Sequence, residues 1–456
     1  MDFRKGFLMG WTMLAALGAA ACESDDGVVP WENTRVAVES DPEGAVIEVD
    51  GTNSGRITPS TLSNLVGRHT IVVRLEADGI GYGYRADVDV RGDTVHRITG
   101  PLMYRCVRPA CPVSSVRERD LGNVRVATQP NGALFTRQAN GQGLKWPLAG
   151  TLESYASTGV PLVGMIASGS GDTLALGIYD TEYMTGRPRP IVAVSGDTTA
   201  VRQSMWIVPP TAAILNNVPT VRGIEVDEEL IGSGTSDVVL LRLTFRNITN
   251  RQTYRAADPV VPPAGMTFEQ LYVGFALDAD IGNPADDMIT YEPALDLVYA
   301  YDHDFSEAAF ASSASAQPGL LGLRLVSAPS GAFSKVLNAW PRLIGTQFSD
   351  WYAGTISEPN GLGVLNGLRS VAPDWPGQHV GYVPSNAGDY RMWVGAGPLT
   401  LPPGAAVSMT VAVIMAWPVA GEFTSGQPVP PGDPDVADRQ IRRIAATLLD
   451  RARDLK

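Results

Sequence analysis

The sequence predicts a mainly β protein: a small antiparallel β-sandwich, then a large antiparallel β-sandwich region, then a C-terminal amphipathic helix. Three observations carry this. Short apolar runs alternate with polar residues at period two, and turn residues separate them. The 456 residues include 48 Gly and 34 Pro, which suits many turns between short strands better than long helices. The chain shows no βαβ rhythm and no internal repeat of about 20–50 residues.

Residues 1–22 come first. Arg4 and Lys5 precede an apolar run from Phe7 to Leu17, and Ala19-Ala20-Ala21 stands immediately before Cys22. This segment is similar to a bacterial lipoprotein signal. The resemblance implies export, cleavage, and acylation of Cys22 as the new first residue. Ala19 stands where that signal usually carries Leu, so an ordinary secretory signal cut near Ala21 is the alternative. No run of roughly 18 apolar residues is present to span a bilayer. Anchoring to a bacterial membrane through lipid is therefore expected, with the outer membrane favoured, on its periplasmic or surface side. Residues 23–33 read as a polar spacer.

From residue 34 to 102 the text turns strand-like. Val36 and Val38 alternate with polar neighbours, as do Ala86, Val88 and Val90; Val46 to Val49 and Ile71 to Leu75 are further short runs. Within this stretch stands Pro42-Glu43-Gly44-Ala45. "SDPEGAVIEVDG", followed by "GRITPSTLSNLVGRHTIVV", resembles the PEGA domain, with its Thr-Pro and with Gly67 and His69 ahead of a strand. The resemblance implies a compact β-domain of exported bacterial proteins and no catalytic activity. Gly44 suits a tight turn, Pro42 ends the preceding strand, and His69 reads as a strand-edge residue.

Residues 103–123 read as a linker holding Cys106 and Cys111. In an oxidising compartment the two are expected to form a local disulfide. Zinc is the alternative, but no further His or Cys lies close by, and Pro109 disfavours a redox pair on a helix.

The large region spans 124–432. Val239, Leu241, Leu243 and Phe245 alternate with Arg242, Thr244 and Arg246; Val407, Met409, Val411, Val413, Met415 and Trp417 alternate with Ser408, Thr410 and Ala412. Each reads as a strand with one face on a core. "VVLLRLTFRNITN", "EQLYVGFALDADIGNPADDMITYEPALDLVYAYD" and "GDYRMWVGAGPLTLPPGAAVSMTVAVIMAW" resemble segments of large secreted β-sandwich exoproteins. That resemblance implies fold and little about function; a helix is expected where such proteins often carry a C-terminal sorting domain. Over 433–456, Ile441, Ile444, Ala445, Leu448 and Leu449 make one stripe of that helix, with Arg439, Arg442, Arg443 and Arg451 off it. Docking on the sandwich is expected, with binding to a partner as the sharper alternative.

Chemistry is best sought in Asp278, Asp280, Asn283, Asp286 and Asp287, whose oxygens suit a calcium ion, which takes about six to eight oxygen ligands. Asp296, Asp302 and Asp304 would add ligands if strands bring them round. The plain alternative is a polar hairpin bonded to its own backbone. Asp180 and Glu182 would serve as a carboxylate pair only if a cleft held them. Glu225, Asp227, Glu228 and Glu229 read as a solvated loop. Trp340, Trp351 and Trp375 stand in loop-like text and would stack on sugars if exposed. The four histidines lie far apart, and no HExxH, nucleophile elbow or P-loop occurs. A net charge of −13 argues against nucleic acid as a partner. The expectation is a non-catalytic envelope lipoprotein with a structural or recognition role. Its expected partners are the membrane, through the anchor, and an envelope protein or a cell-wall or extracellular glycan. A carbohydrate-binding module is the alternative, and a carboxylate- or calcium-assisted hydrolase comes third.

Overall fold

The computed structural model describes residues 34–41, 43–77, 80–91, 95–101, 105–106, 116–129, 132–137, 141–149, 153–166, 173–177, 182–185, 191–208, 221–258, 260–310, 317–332, 334–341, 387–428 and 434–455. The expected leader with Cys22, the expected spacer and Cys111 of the expected disulfide lie outside the described residues, as do Asp180, Trp351 and Trp375.

The first domain has seven strands: β1 (Arg35–Asp41), β2 (Val46–Val49), β3 (Thr52–Ile57), β4 (Ser60–Ser63), β5 (Gly67–Ala77), β6 (Ile80–Val90) and β7 (Val95–Pro101). They form two sheets, β4-β1-β7 and β3-β2-β5-β6. Val36, Val38, Ile47, Leu62, Ile71, Val73 and Val90 make the core between them. These are the inward positions of the period-two pattern. One pair departs from the antiparallel rule: β7 runs parallel to β1. Gly44 holds φ +92° and its N–H donates to the Thr58 carbonyl at 2.7 Å. The Thr58 hydroxyl accepts the Ala45 N–H at 3.0 Å and bonds the Ser40 hydroxyl at 2.5 Å. The Gly44-Ala45 turn is thereby tied to the Thr-Pro thirteen residues on, a buried polar set that satisfies itself.

The body continues with β8 (Arg105–Cys106), β9 (Arg117–Leu121), β10 (Val124–Thr128), β11 (Leu144–Lys145), β12 (Ala156–Ile166), β13 (Thr173–Gly177), β14 (Glu182–Thr185), β15 (Ile191–Ser195), β16 (Thr198–Val208), β17 (Ile224–Ser233) and β18 (Val238–Asn247). After a short helix α1 (Gln252–Ala257) come β19 (Phe268–Ala279), β20 (Asp287–Glu292), β21 (Leu297–Asp302), β22 (Leu320–Ser327), β23 (Ser334–Pro341), β24 (Tyr390–Leu401) and β25 (Ala406–Ala416). The chain ends in α2 (Pro434–Ile444) and α3 (Ala446–Asp454). The stretch 103–123 supplies β8, which pairs with β14, and β9, which pairs with β10.

A five-stranded sheet, β13-β12-β19-β24-β23, faces a ten-stranded one ordered β20-β21-β22-β25-β18-β17-β16-β14-β8, with β15 also on β16. One core fills the space between: Val273, Phe275 and Leu277 of β19 and Met392 and Val394 of β24 meet Leu241, Leu243, Phe245, Met409, Val411 and Val413. The alternation read in β18 and β25 is this inner face.

The outer face of β25 is also apolar at its end. Ala412, Ile414 and Ala416 pack with Leu297, Tyr299 and Tyr301 under Ile441, Ile444, Ala445, Leu448, Leu449 and Ala452. The amphipathic stripe thus docks on the sandwich. The helix is not continuous; it breaks at Ala445 (φ −88°, ψ 11°), so two short helices follow the sheet's surface. Arg324 caps the last turn, its guanidinium donating to the Leu295, Ala452 and Leu455 carbonyls. Asp237 accepts Trp146 Nε1–H at 2.6 Å and Asn123 Nδ2–H at 2.7 Å, and pairs with Arg451 of α3 at 2.5 Å.

The "NIT" of the exoprotein-like text is a corner lock. Buried Asn247 donates to the Met266 and Leu401 carbonyls at 2.7 and 2.8 Å, and its Oδ1 accepts from the Thr249 N–H and hydroxyl.

Candidate functional site

The segment Asp278–Asp287 is no hairpin. It leaves β19 in the five-stranded sheet and enters β20 in the ten-stranded one, so it crosses from one layer of the sandwich to the other. That crossing draws the five sequence-predicted ligands apart.

Asp278 and Asp280 join Asp389, which precedes β24; an oxygen of each lies within 4.8 Å of the others. Asp278 and Asp280 are 6% and 8% exposed. The β19–β24 register sets Asp278 opposite Arg391, whose guanidinium donates to Asp278 Oδ2 at 3.0 Å. Burial pushes the Asp278 carboxyl up to about 7; Arg391 opposes this, while Asp280 and Asp389 add to it. This cluster carries its own cation.

Asp286 joins a second set, with Asp302 at the end of β21 and Glu307 ahead of the 3-10 turn Ala308–Phe310; here too one oxygen of each lies within 4.8 Å of the others. Asp287 and Asp302 are cross-strand partners, so the β20–β21 ladder places Asp286 beside Asp302. Asp302 Oδ1 accepts the Ser306 N–H at 2.9 Å. The Asn283 N–H donates to Glu307 Oε1 at 2.9 Å, and Asn283 Oδ1 accepts the Ala285 N–H at 3.2 Å. Asn283 therefore acts as a turn residue whose backbone holds Glu307. Gly282 sits at φ +77°, and a Cβ there would lie 2.4 Å from the Glu307 carboxyl carbon; only glycine lets the two approach. Burial, followed by the charges of Glu307, Asp304 and Asp286, pushes Asp302 up to about 8 against the Ser306 hydrogen bond. Burial also raises Glu307.

Asp287 belongs to neither set. It is wholly buried, its Oδ2 accepts the Ile281 N–H at 3.1 Å, and burial holds its carboxyl well above the usual range. Asp296 lies apart as the left-handed residue (φ 50°) closing the 3-10 turn Pro293–Leu295. Glu307, Asp389 and Arg391 were not found from sequence. Asp389 and Arg391 share "GDYRMW" with apolar residues, a faint sign of buried charge; nothing local marks Glu307.

The acidic run 225–229 is a strand, not a solvated loop. Alternation along β17 turns Glu228 inward with Val226 and Leu230. Glu225 and Glu229 lie on the other face and meet arginines of neighbouring elements: Arg246 and Arg251 at Glu225, Arg202 and Arg242 at Glu229. Paired charges of that kind read as a loop only when the partners, 13–27 residues away, are out of view. His69 bonds Asp50 Oδ2 at 2.7 Å through Nδ1 and the Val66 carbonyl through Nε2. Trp146 and Trp206 are core residues, and Trp417 packs on Trp146 with ring centroids 4.3 Å apart.

Residues 33–105 match the family model described as PEGA domain. No curated protein matches the chain. Among solved structures, a bacterial glucoamylase complexed with acarbose is similar at 7% identity and TM-score 0.32, covering 77% of this chain. The chain spans only 39% of that enzyme's length. A proposed aldose 1-epimerase from Escherichia coli K12 is similar at 10% identity and TM-score 0.28, over 66% of this chain and 99% of that one. The GH36 α-galactosidase AgaB from Geobacillus stearothermophilus is similar at 11% identity and TM-score 0.24, over 69% and 41% of the two chains. Likeness this distant carries nothing about what this chain does.

Proposed function

We propose that this chain is a non-catalytic protein of the bacterial cell envelope, held to the membrane by lipid on Cys22, with a PEGA module leading into a sandwich that serves structure or recognition. The observation that carries the reading is the PEGA match at 33–105; residues 1–22, read as a leader ending at Cys22, support the tether. Among the described residues, no helix is long and apolar enough to cross a membrane; the attachment proposed is the lipid on Cys22. Burial of Asp278 and Asp280 supports the non-catalytic part: a hydrolytic carboxylate pair must open onto a cleft that admits substrate. Partners of the sandwich are envelope proteins or glycans rather than nucleic acid, in keeping with a net charge of −13.

The test is metabolic labelling with radioactive palmitate in a bacterial host, followed by membrane fractionation. Labelled protein beginning at Cys22 in the membrane fraction, with label and membrane association both lost in Cys22→Ser, is the expected result. An unlabelled protein released in soluble form by wild type and variant alike would overturn the tether.

A further inference from the structure

The two acidic clusters differ in one respect that matters. Asp278 has Arg391. For Asp286, Asp302 and Glu307, no Lys, Arg or His among the described residues lies within ion-pair distance. Three carboxyls therefore meet at the seam of the two sheets with no cation among the described residues to balance them.

Their oxygens are also short of donors. Asp302 is 1% exposed, yet its Oδ2 is buried and accepts no hydrogen bond. Asp286 Oδ1 is in the same condition. Asp287, outside the trio and wholly buried, has a third such oxygen, Oδ1, and lies near enough for the charges of Asp286 and Asp302 to bear on it. Buried polar atoms are almost always satisfied, so the partnerless carboxyl oxygens of Asp286 and Asp302 within one acidic cluster leave room for a bound cation.

The spacing admits a metal ion, and the donor atoms narrow the choice. Two oxygens on opposite sides of a calcium ion, each about 2.3–2.6 Å from it, stand about 5 Å apart. The trio's oxygens lie within 4.8 Å of one another. The donors are all hard oxygens, without the thiolate or imidazole that favours zinc. Calcium accepts carboxylates in flexible geometry, whereas magnesium demands a near-ideal octahedron and keeps several of its waters.

We propose that Asp286, Asp302 and Glu307 bind one calcium ion at the crossover between the two sheets, with water completing the shell. Bound there, the ion ties the β19–β20 crossing to the end of β21 and to the 3-10 turn after it. Gly282 and Asn283 are positioning residues: the first makes room for the Glu307 carboxyl, and the second fixes it through a backbone N–H. The site is independent of lipidation at Cys22.

The test uses the purified full-length chain in detergent, stripped with EGTA, with calcium chloride as titrant in a calorimeter and a thermal melt in parallel. One saturable site per chain and a midpoint raised by several degrees are expected, because a ligand specific to the folded state stabilises it by mass action. Asp302→Asn and Glu307→Gln should each abolish the heat and the shift while still unfolding cooperatively in EGTA, since each removes a repelling charge. Asp389→Asn, in the neighbouring cluster, should keep both. No saturable binding to the wild-type chain would overturn the proposal. Binding that survives both Asp302→Asn and Glu307→Gln, or that is lost in Asp389→Asn instead, would overturn it too.

Discussion

Glu228 makes the sharpest prediction. It is 1% exposed on the inner face of β17, and Gln203 Nε2–H donates to its Oε2 at 2.5 Å. Its Oε1 and Gln203 Oε1 are both buried without a hydrogen bond. A proton on Glu228 supplies the donor that this pair of oxygens lacks. Burial, with a small addition from Asp227, pushes the carboxyl from 4.5 up to about 8 against the Gln203 bond. A folded-state pKa raised above the unfolded one contributes stability that is fully present below about pH 4.5 and is lost as pH rises through about 8. Between pH 5 and pH 8 the loss comes to about 3–4 kcal/mol for this group alone. Glu228→Gln keeps an acceptor for Gln203, adds a permanent donor and does not titrate. Urea unfolding followed by tryptophan fluorescence, in EGTA at pH 5 and pH 8, should show wild-type stability falling more steeply with pH than that of the variant, by about that amount. The reasoning is refuted if both proteins share one pH slope, or if the variant is the less stable of the two at pH 8.

Three further substitutions probe the frame. Arg391→Met leaves Asp278 buried beside two other carboxyls without its guanidinium. It should cost about 3–5 kcal/mol at neutral pH, and adding Asp278→Asn should recover part of the loss in the urea midpoint. Asn247→Ala strips the donors from the Met266 and Leu401 carbonyls and should cost roughly 2–4 kcal/mol in the same assay. Leu448→Ala opens a cavity between α3 and the outer face of the ten-stranded sheet and should cost about 2–5 kcal/mol. Hydrogen exchange in this last variant should quicken first over 434–454, the segment that the contact holds down.

Much of the frame was legible in the sequence because strand patterning is local. The period-two runs of β18 and β25 and the stripe Ile441, Ile444, Ala445, Leu448 and Leu449 each record which side of an element meets apolar neighbours. Even the end of β25, where Ala412, Ile414 and Ala416 join the alternation, is in retrospect a strand covered on both faces. Only the first half of that strand, with Ser408 and Thr410, lies beyond the reach of the helices and keeps a polar side.

By itself, then, the sequence determined a β-rich chain with a PEGA-like module, a helix that must cover something, and an acidic stretch after β19. Tertiary structure alone decided what that stretch becomes. Asp278 and Asp280 fall to one cluster and Asp286 to another because the segment changes sheets within a few residues. Asp389, Arg391 and Glu307 complete the clusters from 20 to more than 100 positions away. The inward-facing Glu228 likewise finds its hydrogen-bond partner in Gln203, 25 residues earlier in the neighbouring strand. Apolar burial is written into the residues that are buried, whereas a charge takes its meaning from its partners, and strand pairing brings those partners from anywhere in the chain.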